Sequence, residues 1–288
     1  MIDALLHYQF MQNAFVAGIL AAIACGIIGT YVVVKRMVSI SGGISHASFG
    51  GIGIGYYLAQ YISWMTPVYG ALIFTPLVAL GMGIFVKRTH IAEDTAIGII
   101  WAVGMALGLT FIGLTPGYTP DLFSYLFGNI LIVTTSDLIT MAILDAIIIF
   151  FVLALYKELL AISFDQEFGT ALGLPTERLY LTLLCLIALT VVLLMRFVGI
   201  ILIIALLTIP TATARQHTHS LKKMMLLSIL FGMASVIGGL RLSYEINIRS
   251  GSGAMIILFS AAIFAVSTVL TQFRHKKHGY TETPASDA

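Results

Sequence analysis

The sequence predicts an all-α fold, a polytopic helical membrane protein with eight or nine transmembrane helices. Three observations predict it. Of the 288 residues 59% are hydrophobic and only 10% are charged, whereas a soluble domain carries about 25% charged residues to keep its surface solvated. The charges fall in short clusters between apolar runs of roughly 18–22 residues, the length that crosses a bilayer core. If those runs alternate across a membrane, twelve of the fifteen lysines and arginines fall on one side, the bias expected of a cytoplasmic face.

Nine runs follow in order. The first, 14–34, comes after a stretch (residues 1–13) with neither a basic leader region nor a cleavage site, so it reads as a retained span. The second, 45–63, overlaps a stretch (38–55) too rich in Gly and Ser for a lipid-facing helix; small residues let backbones approach closely, which places this span inside the bundle. Runs 67–86 and 96–114 flank Lys87-Arg88, and Pro116 and Pro120 follow the fourth. Run 136–156 precedes the longest polar loop, 157–178, in which 163–173 is amphipathic enough for a short surface helix. Only Arg196-Phe197 separates runs 179–195 and 198–214, which leaves the count at eight or nine, and Pro210 predicts a kink or break in the second of them. Runs 223–240 and 253–272 complete the set. Residues 1–273 are expected to form one membrane domain and 274–288 a disordered basic tail.

With nine crossings and the N-terminus outside, the cytoplasmic segments hold Lys35, Arg36, Lys87, Arg88, Lys157, Arg178, Arg215, Lys222, Lys223, Arg274, Lys276 and Lys277. Arg196, Arg241 and Arg249 remain outside, and the C-terminus is cytoplasmic.

Ionisable groups inside a bilayer are costly and face a bundle interior or a water-filled path. His46 lies in the Gly/Ser-rich span beside Ser41, Ser45 and Ser48. A neutral imidazole is the commonest protein ligand for transition metals, and the alternative is a buried histidine bonded to a neighbouring helix. Asp145, mid-span, is open to the same two readings, a helix contact or a place in an ion path. His217-Thr218-His219 lies beside Arg215, Lys222 and Lys223 and reads as a solvated basic span end. Cys25 and Cys185 sit in apolar runs without metal or redox spacing and read as packing residues. No phosphate loop, paired carboxylates or nucleophile–base arrangement appears, so the chain is not expected to be an enzyme or to hydrolyse ATP itself.

Four stretches resemble the permease family of bacterial and archaeal ABC importers for zinc, manganese and iron. Lys35-Arg36-Met37 followed by Ile44-Ser45-His46-Ala47 is similar to that family's basic pair and Asp-Ala-Leu-Ser-His-Ala segment. Glu93-Asp94-Thr95-Ala96-Ile97-Gly98 resembles its acidic entry to the fourth span, and Tyr125-Leu126-Phe127-Gly128-Asn129-Ile130-Leu131 a segment before the fifth. Val198-Gly199-Ile200 through Ala205-Leu206-Leu207, Pro210 and Ala212 to Ala214 resembles its Val-Gly, Leu-Leu, Pro-Ala run.

The resemblance implies a homodimer of permeases in the cytoplasmic membrane with the path between them. Two cytoplasmic ATPase subunits would drive alternating access, and an extracellular or periplasmic receptor would deliver the metal. It makes His46 the metal-contacting residue; Ser45 and Ser48 beside it, Asp145 by its mid-span place and Glu245 in the external segment are further path candidates. It also makes the loop carrying Phe164, Asp165, Glu167 and Gly173 a cytoplasmic coupling helix that docks on the ATPase. The implied partners are these proteins and membrane lipid, not nucleic acid. No permanent cofactor is expected, the divalent ion being cargo.

Three positions depart from the family pattern: Gly42 stands where an Asp would share a helix face with His46, and in the external segment Ser243-Tyr244-Glu245-Ile246-Asn247-Ile248-Arg249-Ser250-Gly251, Asn247 stands for an Asp and Arg249 for a Pro. Losing carboxylates while keeping imidazole favours zinc over manganese. A permease for a metal chelate or another small solute is the alternative. A hydrolase using Ser45 or Ser48 with His46 is disfavoured, because neighbours on one helix point in different directions.

Overall fold

A computed structural model describes residues 7–89, 91–116, 128, 130–246 and 252–278. Among these residues the chain forms eleven α-helices, one 3-10 turn and no strand. The helices are α1 (Gln9–Val34), α2 (Val38–Leu58), α3 (Pro67–Thr89), α4 (Glu93–Leu114), α5 (Thr135–Ala154), α6 (Tyr156–Phe164), α7 (Gln166–Ala171), α8 (Thr176–Val198), α9 (Ile200–Arg215), α10 (Leu221–Ile246) and α11 (Ser252–His278), with the 3-10 turn at Ile130–Ile132. Six of them, α1, α3, α4, α5, α10 and α11, contain segments long and apolar enough to cross a membrane. Helix α9 is apolar but has only 16 residues.

Local chemistry sets several boundaries. Pro67 opens α3 at a position where its missing N–H costs nothing. Glu93 and Asp94 lie in the first turn of α4, where the helix dipole favours negative charge. Helix α5 starts with a capping box: Thr134 Oγ1 accepts from the Asp137 N–H, and Asp137 Oδ2 accepts from the Thr134 N–H at 3.0 Å.

The helices pack in two groups. In the first, α2 lies between α3 and α4, and in the second α1, α9, α10 and α11 pack together. Helix α8 joins them by touching α2 and α3 of the first group and α1 and α9 of the second. Close approaches fix the directions. Gly51 meets Ala71 and Gly55 meets Pro67, so α2 and α3 are antiparallel, whereas Ala47 meets Gly104 and Gly53 meets Gly108, so α2 and α4 run parallel. Likewise α1 is antiparallel to α10 (Gly18 to Val236, Gly26 to Ile229) and parallel to α9, since Gly29 meets Leu207 and Arg215 Nη1 donates to Val33 O.

Every apolar run falls on a helix, but four boundaries move. The second span begins at Val38, because a Ser/Gly stretch that shows no apolar run is helical once its small faces are packed. The expected surface helix at 163–173 is two helices, α6 and α7, separated at Asp165. The break predicted at Pro210 is absent, and α9 runs through it; the chain breaks instead at Gly199, whose φ of 82° ends α8. The expected disordered tail from 274 is helical as far as His278, the continuation of α11, and residues 279–288 lie outside the described set.

Candidate functional site

From Ile40 to Gly53 every residue of α2 is buried except His46, which is half-buried. Its ring lies flat on Trp101 of α4, with centroids 4.1 Å apart and planes 10° from parallel. Trp101 is itself 44% exposed, so the pair sits at the outer margin of the protomer. The close packing of α2 on α4 explains the stack, since only paired small residues such as Gly53 and Gly108 bring the two backbones so near. His46 Nδ1 is buried and has no hydrogen-bond partner. Leaving such a nitrogen unsatisfied costs about 1–3 kcal/mol, which the packing around the stack must offset. One turn earlier, a Cβ at Gly42 would meet only Ile204 Cδ1, at 4.0 Å, which leaves space beside the imidazole.

Ser45 and Ser48 turn the other way. Both are fully buried; Ser45 Oγ donates to Ser41 O at 2.7 Å, and Ser48 Oγ lies against Ser45 O and Met195 Sδ. Neither hydroxyl bonds to His46, so no serine–histidine pair of the kind a hydrolase needs is present on α2.

Asp145 is only 3% exposed, and neither carboxylate oxygen has a partner. It sits on α5, which packs on α1, α8 and α6. Glu245, at the far end of α10, is exposed and pairs with Arg241 at 2.9 Å, an i,i+4 surface pair of the sort worth a few tenths of a kcal/mol. The structure therefore brings neither carboxylate to His46. Among the described residues no group of three or more His, Cys, Asp or Glu is arranged to hold a metal. Asn247 lies outside the described residues, as do Tyr125, Leu126, Phe127 and Asn129. Gly128 is described, with φ of 70°; a side chain there would collide with Val198 and Gly199, so two of the resembling stretches meet at the α8–α9 break.

The α6–α7 segment is anchored at its root and bare at its tip. Lys35 Nζ donates to Ile162 O at 2.7 Å, placing a cation on the last turn of α6 where the helix dipole favours it. Burial pushes the Lys35 ammonium below the usual lysine range. Asp165 caps α7: its Oδ1 accepts from the N–H groups of Glu167 and Phe168, both at 2.9 Å. Gly173 (φ 78°) stops the same helix, with Gly173 N–H donating to Thr170 O and Leu174 N–H to Gly169 O, a Schellman closure. Along this segment Phe164, Phe168 and Leu172 are 59–69% exposed. Asp165→Ala is expected to cost the short helix about 1 kcal/mol and Asp165→Asn much less, which hydrogen exchange at the Glu167 and Phe168 amides would measure.

Basic residues gather at this end of the bundle. Beside Lys35, Arg215 reaches Val33 O, and Lys222 sits 5.0 Å over the Tyr156 ring. His217 is exposed as expected, yet its Nε2 lies 2.8 Å from Ser267 Oγ. Ser267 gives its one proton to Gln216 Oε1, so His217 Nε2 carries the hydrogen in that bond. His217 is thus a strut between the α9–α10 turn and α11.

Two residues important to the arrangement escaped the sequence reading. Trp101 looked like any aromatic in an apolar run, and Gly108 like any small residue; only the α2–α4 contact singles them out.

Comparison with known proteins gives a consistent result. The family described as "ABC 3 transport family" matches residues 7–271. An uncharacterized membrane protein of Synechocystis sp. is 48% identical over 93% of this chain and 94% of its own length. The manganese transport system membrane protein MntC of Listeria monocytogenes is 37% identical over 92% of this chain and 94% of its own. Among solved structures, a chain of PsaBC from Streptococcus pneumoniae, in complex with Fab, superposes with a TM-score of 0.82 at 34% identity, covering 92% of this chain and 93% of that one.

Proposed function

The chain belongs to the ABC 3 transport family, and from that premise we propose that it is the membrane-spanning subunit of an ATP-driven importer of divalent transition metal ions. The observation that carries the site assignment is the half-buried imidazole of His46, stacked on the exposed Trp101 at the protomer's margin and one turn from the open space at Gly42. Two permeases pack with their α2–α4 margins together, and the paired His46 side chains make a transient site for the ion. Carboxylates elsewhere are not required, because a passing ion needs loose coordination only.

Nine crossings, α1–α5 and α8–α11, put the N-terminus outside and the C-terminus in the cytoplasm. The alternating helix directions and the basic residues collected beside α6–α7 support this count. Helix α9, at about 24 Å, is shorter than the roughly 30 Å hydrocarbon core, so the Gly199 end lies within the membrane's depth. On the cytoplasmic side Phe164, Phe168 and Leu172 dock on a separate ATPase subunit, while Asp165 and Gly173 shape α7 and Glu167 lies on its exposed face. Closing of two ATPase subunits on ATP draws the two α6–α7 segments together and switches the face to which the path between the permeases opens. An external receptor supplies the ion.

The choice of metal rests on two opposed considerations. Gly42 and Asn247 stand where carboxylates would be, which favours zinc; two relatives aligned over 92% of this chain are named as manganese transport proteins. We take manganese as the first cargo and zinc as the competitor. The test is uptake into liposomes holding the permease with its ATPase: manganese should accumulate only with ATP, and zinc should compete. Accumulation of a metal chelate but not of the free ion would replace this reading. Phe168→Ala should lower the amount of ATPase that copurifies about tenfold or more, as expected of a buried aromatic anchor; unchanged copurification would remove α7 from the docking surface.

A further inference from the structure

Where α5, α6 and α10 meet over α1, the chain leaves a groove of about 640 Å³. Ile27 of α1, Val152 and Leu153 of α5, and Met225 of α10 make its walls. Lys157, Lys222 and Glu158 stand at its rim with Tyr156. Neither ammonium has a carboxylate partner among the described residues; Lys222 rests on the Tyr156 ring instead. Beyond the groove the surface stays apolar, with Phe150 and Leu153 exposed on α5 and Leu226 and Leu230 on α10. The groove thus has an apolar body running along membrane-embedded helices and a cationic mouth at the level where those helices leave the bilayer.

We propose that this groove is a binding site for one anionic phospholipid per protomer. The phosphate lies between the Lys157 and Lys222 ammonium groups and the Tyr156 hydroxyl, and an acyl chain runs along Val152, Leu153 and Met225. A zwitterionic lipid fits the walls equally well but gains less at the mouth, because its choline cation meets two lysines. A free anion gains at the mouth but leaves the apolar walls bare. Basic pockets between helices at a membrane surface suit anionic head groups for this reason, each lysine contributing through an electrostatic attraction that a neutral head group lacks. Glu158 opposes the attraction and limits it. The inference needs α1, α5 and α10 to lie in a bilayer and is independent of which ion is transported.

The test uses the delipidated permease–ATPase complex in detergent, with phosphatidylglycerol, phosphatidylcholine of the same chains, or inorganic phosphate added, and counts bound lipid by native mass spectrometry. One phosphatidylglycerol per permease should be retained in preference to phosphatidylcholine. Lys157→Gln with Lys222→Gln should cut that preference by about thirtyfold at low salt, and Glu158→Gln should raise it. Equal retention of the two lipids, or a preference unchanged in the double variant, overturns the proposal. Displacement of phosphatidylglycerol by inorganic phosphate assigns the mouth to a free anion and overturns it too. Oxidative cross-linking of two permeases through Leu153→Cys would mean that a second copy covers the groove, with the same consequence.

Discussion

His46→Ala is expected to reduce ATP-driven metal uptake about 10- to 100-fold, the range typical of weakened metal coordination, while the permease stays folded and bound to its ATPase. Within the protomer His46 contributes one contact of note, the stack on Trp101, worth about 0.5–1.5 kcal/mol. Against this, the variant relieves a buried nitrogen that has no partner, a penalty of similar size. The net change in stability should therefore be small. Uptake into liposomes and copurification with the ATPase, measured on the same preparation, check both halves. A Trp101→Ala variant should loosen the ring without removing it and give a smaller loss of uptake.

Gly53→Ala is expected to destabilise the permease by roughly 1–3 kcal/mol or more, the cost of overpacking a rigid contact. A Cβ at this position would run into the Gly108 carbonyl oxygen and sit 2.7 Å from Gly108 Cα. These are backbone atoms of α4, so no side chain can swing aside. The same substitution at Gly98 is the control, since nothing lies within 4 Å of a Cβ there. It should be neutral or stabilising by about 0.5–1 kcal/mol, because alanine favours a helix. Thermal unfolding of the two variants in detergent would show opposite shifts. Loss of uptake should accompany the first, because the α2–α4 contact also seats His46 on Trp101.

The apolar runs made the helices legible, because in a bilayer each span must satisfy its own backbone hydrogen bonds and cannot be much shorter than the core. Their ends were less legible. Ser39 to Gly43 carried little hydrophobic signal, yet those residues are helical, with Ile40, Ser41, Gly42 and Gly43 buried in the packing of α2. Pro210 looked like the break, but a proline at the interior of a packed helix loses one hydrogen bond, whereas Gly199 adopts a positive φ that ends the helix outright. His46 stood out because an imidazole in a Gly/Ser span is rare. Its partner Trp101, 55 residues along the chain, depended on tertiary contact alone. Asp165, placed in the coupling loop by the resemblance, is also a helix-cap signal three residues before Phe168, and its hydrogen bonds form that cap.

The account turns on two His46 side chains facing one another across the seam between permeases. Oxidative cross-linking in membranes measures this directly, using His46→Cys with Cys25 and Cys185 replaced by alanine. A covalent permease dimer is the expected product. Persistence of the uncross-linked chain, while Phe150→Cys on α5 gives the dimer, would put the seam on another face and contradict the account.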